Sequence, residues 1–461
     1  MSVVTLPTSM NLGDVKASCV SDCKASIQRF RSDNSSYQSN DIVRIEIPCG
    51  RSGAYLHPQD SFLEFKFTPV FTEGTSGQTS LDANAYSIFK SIRILHGSNV
   101  LVNVQNANRL YNALYDIQVS GSERNAGQIT LGIQSEASTS PHCNLFGQIL
   151  NSTKTYQFSL TLPCSILGSL QEKALPLGFM GASSLYLELE IDSMNRIFTG
   201  RIDGDVIGGS ISPATSAPAY TSITLSEIYY NAKVSMLGAE YDNLLRSSLG
   251  DNIVIPATEY RSEMKSISAG ASSFSDKFSF NVSSAKMFLW WLTSQDTANG
   301  VLATNALNQA ITQRQCGPCK DYYLSFNGEF FPSQPVQMGL NGATYLTNKQ
   351  FGAIAYAHLL RCFNQNSDTH SGGVMDTAIY CDNRTTIASD GATAKRFVGG
   401  IDLDRCDGNN TKAMAGMNTM NQNVVFNVNW ESALSTSQNL YAYICYDTAY
   451  VLQDGLLSVR M

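Results

Sequence analysis

The sequence predicts an all-β protein: two tandem eight-stranded jelly rolls with short helices and long surface loops. Three observations carry that prediction. Short apolar–polar alternations recur along the chain at the period of a half-buried strand, as in Leu185-Tyr-Leu-Glu-Leu-Glu-Ile191. A strand–turn–strand–helix order over residues 86–118 returns over residues 321–363. The turn glycines of those two hairpins, Gly97 and Gly328, stand half a chain apart, as a duplication would place them. A chain of 461 residues also exceeds what one hydrophobic core holds, so two cores are expected.

In the first half, residues 1–40 read as a polar arm without a sustained period. Residues 41–47 alternate and stop at Pro48, and in residues 62–69 Phe65 and Phe67 alternate with Glu64 and Lys66. The hairpin near residue 97 needs a positive φ, which Gly97 supplies. After it the period changes: Ala107, Leu110, Tyr111, Leu114 and Ile117 recur at three and four, one face of a helix. Residues 121–147 form a long polar excursion, 156–163 a strand, 166–170 a short helical turn and 185–191 the clearest strand of this half. Residues 198–222 are Gly-, Ser- and Pro-rich, and so much loop marks a functional excursion. A last strand pair follows over 223–237. Leu237, Tyr241, Leu244, Leu245 and Leu249 then make a helix stopped by Gly250.

The second half repeats the plan. Strands are expected at 259–267, 274–282 and 287–293, then a hairpin over 321–331 around Asn327-Gly328, its second strand cut short by Pro332. A helix over 347–363 puts Phe351, Ile354, Ala355, Leu359 and Cys362 on one face. After a polar loop at 364–395 come strands at 397–403, 423–430, 440–446 and 448–457. Eight antiparallel strands in two Greek keys make one jelly roll. The predicted organisation is an arm at 1–40, a first jelly roll at 41–237, a linker helix at 238–256 and a second jelly roll at 257–461.

Composition narrows function. Apolar residues make up 43% and charged residues only 15%, against roughly a quarter in typical soluble proteins. A surface short of charge suits extensive contact with copies of itself, because interface centres are depleted of charge. The 31 basic and 38 acidic residues leave a net charge of −7, which argues against nucleic-acid binding by a basic footprint. No apolar run approaches the roughly 18 residues of a membrane span. The start of the chain has no charged n-region and apolar h-region, so no signal peptide is expected, and most of the 11 cysteines are expected to be free thiols.

No constellation at catalytic spacing emerges, and the sequence names no catalytic, cofactor-binding or metal-binding residue. Cys316-Gly-Pro-Cys319 spells a redox centre, but that chemistry needs the first Cys at a helix N-terminus, whereas a strand follows here. It reads as a structural turn. Cys19 and Cys23 lack a second pair for zinc, with Cys362, Cys381 and Cys406 isolated. Residues 402–413 fail the calcium-loop pattern, with Cys406 at position five and Ala413 at twelve. His358 lies on the apolar stripe of its helix. Trp290-Trp291 would suit a carbohydrate platform, but alternation sends the pair to opposite faces and at least one into the core.

At this point the chain resembles a known family, the double jelly-roll major capsid proteins of tailless icosahedral double-stranded DNA viruses. The resemblance is carried by residues 41–67 with the link Tyr55-Leu-His-Pro-Gln-Asp-Ser-Phe-Leu-Glu-Phe, by Ser87-Ile-Phe-Lys-Ser-Ile-Arg-Ile-Leu-His-Gly, by 185–191, and by the pair 423–430 and 440–450. It extends over residues 40–461 in pattern and order. It implies a structural protein that assembles as pseudo-hexagonal trimers, six barrels to a trimer, into a shell enclosing a DNA genome. Its partners would be itself, neighbouring trimers, and penton and minor capsid proteins, and its place the virion, made inside the host cell. The competing reading is a glycan-binding or adhesive β-sandwich protein. The duplication, the low charge and the missing signal peptide favour the capsid reading.

Overall fold

A computed structural model describes residues 24–72, 77–119, 127–133, 147–171, 173–202, 206–207, 210–211, 219–238, 242–243, 247, 253–298, 309–338, 352–363, 392–393, 396–404 and 416–460. The first half supplies β1 (Lys24–Arg31), β2 (Ile42–Ile47), β3 (Ala54–Thr72), β4 (Phe89–His96), β5 (Asn99–Val104), α1 (Ala107–Gln118), β6 (Tyr156–Leu160), β7 (Leu185–Ile191) and β8 (Ala219–Met236). The second supplies β9 (Ile253–Ile267), β10 (Ser273–Phe278), β11 (Ala285–Ser294), β12 (Cys319–Phe326), β13 (Glu329–Gln337), α2 (Ala353–Cys362), β14 (Gly399–Asp402), β15 (Val424–Trp430), β16 (Gln438–Gln453) and β17 (Leu456–Arg460).

The pairing defines the fold. One sheet of the first half runs β1-β8-β3-β6 and the other β2-β7-β4-β5. The second half gives β9-β16-β11-β14 and β10-β15-β12-β13, the same order shifted by eight, with β17 added on β16. Every one of these pairs is antiparallel. Each half is a jelly roll, and each carries, among the described residues, one long helix between the fifth and sixth strands.

Alternation explains the two cores. Val43, Ile45 and Ile47 on β2, Leu63, Phe65 and Phe67 on β3, and Leu185, Leu187, Leu189 and Ile191 on β7 all point inward and are fully buried. Phe65 meets Phe89 edge-on at 5.3 Å, which joins the two sheets. In the second barrel Phe426 is the hub, with ring centroids 5.0 Å from Phe288 and 5.2 Å from Trp290. The turn residues behave as their chemistry demands: Asn327 and Gly328 both have positive φ, which matches the twist of the strands they join.

Several expectations are corrected. Residues 24–31, assigned to the arm, form β1 and pair along β8 from Lys24–Met236 to Arg31–Tyr229. Nearly all of β1 is exposed, so it has no apolar period, and backbone pairing holds it. The link at residues 55–61 belongs to β3, whose pairing with β8 skips between His57 and Phe62, accommodating Pro58. Residues 164–170 are turns and bends, not helix. Residues 253–256, assigned to the linker, already belong to β9. Of the expected linker helix, Leu237 and Gly238 are not helical, Asp242, Asn243 and Ser247 are, and residues 239–241, 244–246 and 248–252 lie outside the described residues.

Pro332 does not end β13, because β13 is an edge strand whose residues 332–335 face no partner on β12. Residues 440–446 and 448–457 are not two strands. A single β16 passes through Asp447 and turns only at Asp454-Gly455. On α2, Ala355, Leu359 and Cys362 are buried as expected, but Ile354 is exposed, since the helix seats a narrow stripe on Gly400. The excursion at 198–222 begins with a strand, Phe198–Ile202, paired to Gly77–Leu81. Most of the excursions at 121–147 and 364–395 lie outside the described residues.

Phe426 gives the direct check on the second core. Replacing it by Ala removes the shared partner of Phe288, Trp290 and Tyr322, and is expected to lower unfolding free energy by about 3–5 kcal/mol in chemical denaturation. A loss below about 1 kcal/mol would contradict the core described here.

Candidate functional site

The polar chemistry of the interior gathers where the two barrels meet. Helix α1 sits in this seam and is buried on nearly all sides, including Asn108, Arg109, Asn112 and Asp116. Its apolar stripe and its amides face its own barrel: Asn108 Nδ2 donates to Asp192 at 2.8 Å and Asn112 Nδ2 to Ser87 Oγ at 3.1 Å. Its charged residues face the other barrel. The Arg109 guanidinium lies 4.4 Å from the Tyr441 ring centroid, and its Nη2 donates to the Ala298 carbonyl at 3.3 Å.

Asp116 is the strongest link. It accepts from Arg314 Nη2 and lies 3.6 Å from Arg396 Nη1, both arginines being fully buried. Arg314 and Arg396 stand on adjoining segments joined by a parallel bridge, and Arg396 Nη1 also donates to the Thr312 carbonyl at 3.3 Å. Asp82, from the first barrel, accepts the backbone N–H of Ile311 at 2.7 Å and of Thr312 at 3.1 Å, as well as the Thr312 hydroxyl. One carboxylate of the first barrel thus meets two guanidinium groups of the second, and another takes backbone and hydroxyl donors beside them. Burial lowers the Arg314 pKa to about 10, aided by its neighbour Arg396 and opposed by Asp116 and Asp82. Burial also pushes the Asp82 carboxyl up, while Arg396 and the Thr312 and Ile311 donors pull it down.

Three further contacts extend the seam. Tyr443 donates from its hydroxyl to the Asn106 carbonyl at 3.0 Å, and its ring stacks on Trp291 at 4.9 Å. Glu259 on β9 accepts from the Ser165 amide at 3.3 Å and the Tyr450 hydroxyl at 2.6 Å. At the chain's end, the Leu457 amide donates to His96 Nδ1 at 3.0 Å, so Nδ1 carries no proton; burial keeps that imidazole below its usual pKa. Strand β17 is thereby tied back to the turn after β4, with Gly455 packed directly on Gly181.

The motifs weighed from sequence find plain places. Cys316 and Cys319 are buried free thiols at the start of β12, and burial raises Cys319 well above the usual thiol range, against thiolate chemistry. Both tryptophans are fully buried, Trp290 in the second core and Trp291 in the seam, so neither offers a carbohydrate platform. His358 is half-buried on α2 beside Arg361, both burial and that charge lowering its pKa. Asp402 ends β14, while residues 405–415, Cys19, Cys23 and Cys381 lie outside the described residues. Among the described residues no three His, Cys, Asp or Glu side chains gather as metal ligands would, and no helix is long and apolar enough to cross a membrane.

Sequence reasoning missed the seam. The apolar stripe of α1 was legible, but its partners Arg314 and Arg396 lie some two to three hundred residues away and carry no motif. Asp116 lies off the apolar stripe of an amphipathic helix, so local pattern carried no signal for its burial.

Neither a protein-family model nor a curated protein matches the sequence. Solved structures match along almost its whole length. A PBCV-1 virus capsid model aligns at 11% identity with a TM-score of 0.57, over 97% of this chain and 99% of that one. The Sputnik virophage structure aligns at 13% identity and 0.55, over 100% and 93%. The Faustovirus major capsid protein aligns at 8% identity and 0.55, over 97% and 93%. At such identities the likeness is one of fold: this chain is a double jelly-roll protein.

The Asp116 contact is open to test. Asp116→Ala removes the carboxylate that the buried Arg314 and Arg396 share and is expected to destabilise the protein by about 3–5 kcal/mol. Denaturation curves unchanged within about 0.5 kcal/mol would mean that the seam does not depend on this charge pairing.

Proposed function

We propose that the chain is a viral major capsid protein that assembles as pseudo-hexagonal trimers into an icosahedral shell around a DNA genome. The observation that carries this reading is the repeated strand order, 1-8-3-6 with 2-7-4-5, present twice in one chain and joined by a seam of buried charge. A chain with two joined barrels lets three copies occupy a sixfold-like position, each copy touching two others through unlike surfaces. The likeness of fold to a PBCV-1 capsid and to the Sputnik virophage over nearly the full length supports the same reading.

Unlike surfaces on two similar barrels are what such a lattice needs. The outer face of β2-β7-β4-β5 carries an ion-pair ladder, Arg44–Glu188–Arg93 with Lys90–Glu190 beside it. The corresponding face of the second barrel carries Ser275, Asn427 and Asn429, with Tyr323 packed edge-on against the exposed Phe330 at 4.8 Å. In this reading the units are an arm before β1, a first barrel to residue 237, a linker, and a second barrel from Ile253. The partners are further copies of the chain, neighbouring trimers, and penton and minor capsid proteins. The location is the virion. The function requires no catalytic residue, cofactor or metal.

Native mass measurement on the purified full chain tests it. The expected species has three times the 50.2 kDa chain mass and persists at micromolar concentration. A stable, folded monomer with no threefold species would contradict the proposal.

A further inference from the structure

Glu259 is fully buried on β9, where β9 and β16 face the first barrel. One of its carboxyl oxygens takes the Ser165 amide, the Ser165 hydroxyl and the Tyr450 hydroxyl, so a single atom ties a loop of the first barrel to two strands of the second. The titratable groups around it are Tyr111 from α1, Cys164 from the loop after β6, Tyr260 on β9 itself, and Cys445, Tyr446 and Tyr450 from β16. All are phenols or thiols that burial drives upward, so none brings a positive charge near neutral pH. The nearest cations in this cluster, Arg261 beside Tyr446 and Lys286 beside Cys445, act on those side chains, and no ion pair to Glu259 occurs among the described residues. The contrast with Asp116, matched by two arginines in the same seam, is plain.

We propose that Glu259 is a proton-operated latch on the seam: its neutral carboxyl holds residues 162–171 against β9 and β16, and loss of its proton loosens that contact. Burial outweighs the Ser165 and Tyr450 hydrogen bonds and raises the Glu259 pKa to about 7. In a locally opened seam the carboxyl returns to its ordinary value near 4.5. The sign follows: the stabilisation of the closed state is complete below about pH 4.5, declines as pH rises, and is lost once pH passes 7. The proposal concerns the single chain and stands whether or not the capsid reading holds.

Hydrogen exchange of the purified full chain, corrected for the intrinsic pH dependence of exchange, reads the opening of residues 162–171. Their protection is expected to fall roughly 30-fold between pH 5.5 and 8.5, with little change above about pH 7.5. In Glu259→Gln, which cannot ionise, protection should vary less than about threefold over that range. Ser165→Ala, which removes a donor that lowers the Glu259 pKa, should move the plateau to higher pH and serves equally if the first variant does not fold. Flat protection in the unaltered protein, the same pH course in Glu259→Gln, or an unmoved plateau in Ser165→Ala would overturn the proposal.

Discussion

The relative placement of the two barrels depends on the pairing of buried charge across their seam. Asp116 comes from one barrel and Arg314 and Arg396 from the other, while Asp82 takes backbone N–H groups across the same seam, so the cluster is complete only when the barrels dock. Removing such groups from water costs several kcal/mol per ion, and their attraction roughly repays that cost only in one geometry. The net gain in stability is therefore modest. What the pairing supplies is register: an apolar seam would tolerate sliding, whereas a misplaced seam here would bury bare guanidinium groups. Trp291 stacked on Tyr443, and the Arg109 guanidinium over Tyr441, fill the remaining space with flat aromatic surface.

That fixed register gives the duplicated fold its use. Two barrels with one strand order would be redundant if they were free to move. Held at one angle, they present two different exteriors at a constant separation, an ion-pair ladder on one and amides with Tyr323 and Phe330 on the other. The C-terminal strand β17 adds a second tie, since its Leu457 reaches the His96 side chain of the first barrel.

How much of this was legible in the sequence follows from which faces are buried. Strands with one wet face announce themselves, and residues 185–191 and 424–430 alternate without a break. Strand β1 was invisible because nearly all of it is exposed and only its backbone is engaged with β8. The expected strands 440–446 and 448–457 leave Asp447 between them, but its carboxylate is met by Lys286 and by Thr258 and the strand runs on through it. Helix α1 was legible as a helix with one apolar face, but the burial of its polar side was not, because the residues that cover that side are distant in sequence. The seam is a property of the assembled pair of barrels, and local pattern holds no record of it.

The most direct measurement of the central claim is an electron cryo-microscopy reconstruction of particles from the source, carried to a resolution that traces strands. The account predicts a closed lattice whose repeating positions each hold three copies of this chain, six upright barrels in a ring, with Asp116 of every copy against its own Arg314. A shell built from another chain, or copies in which the two barrels take different relative angles, would contradict it.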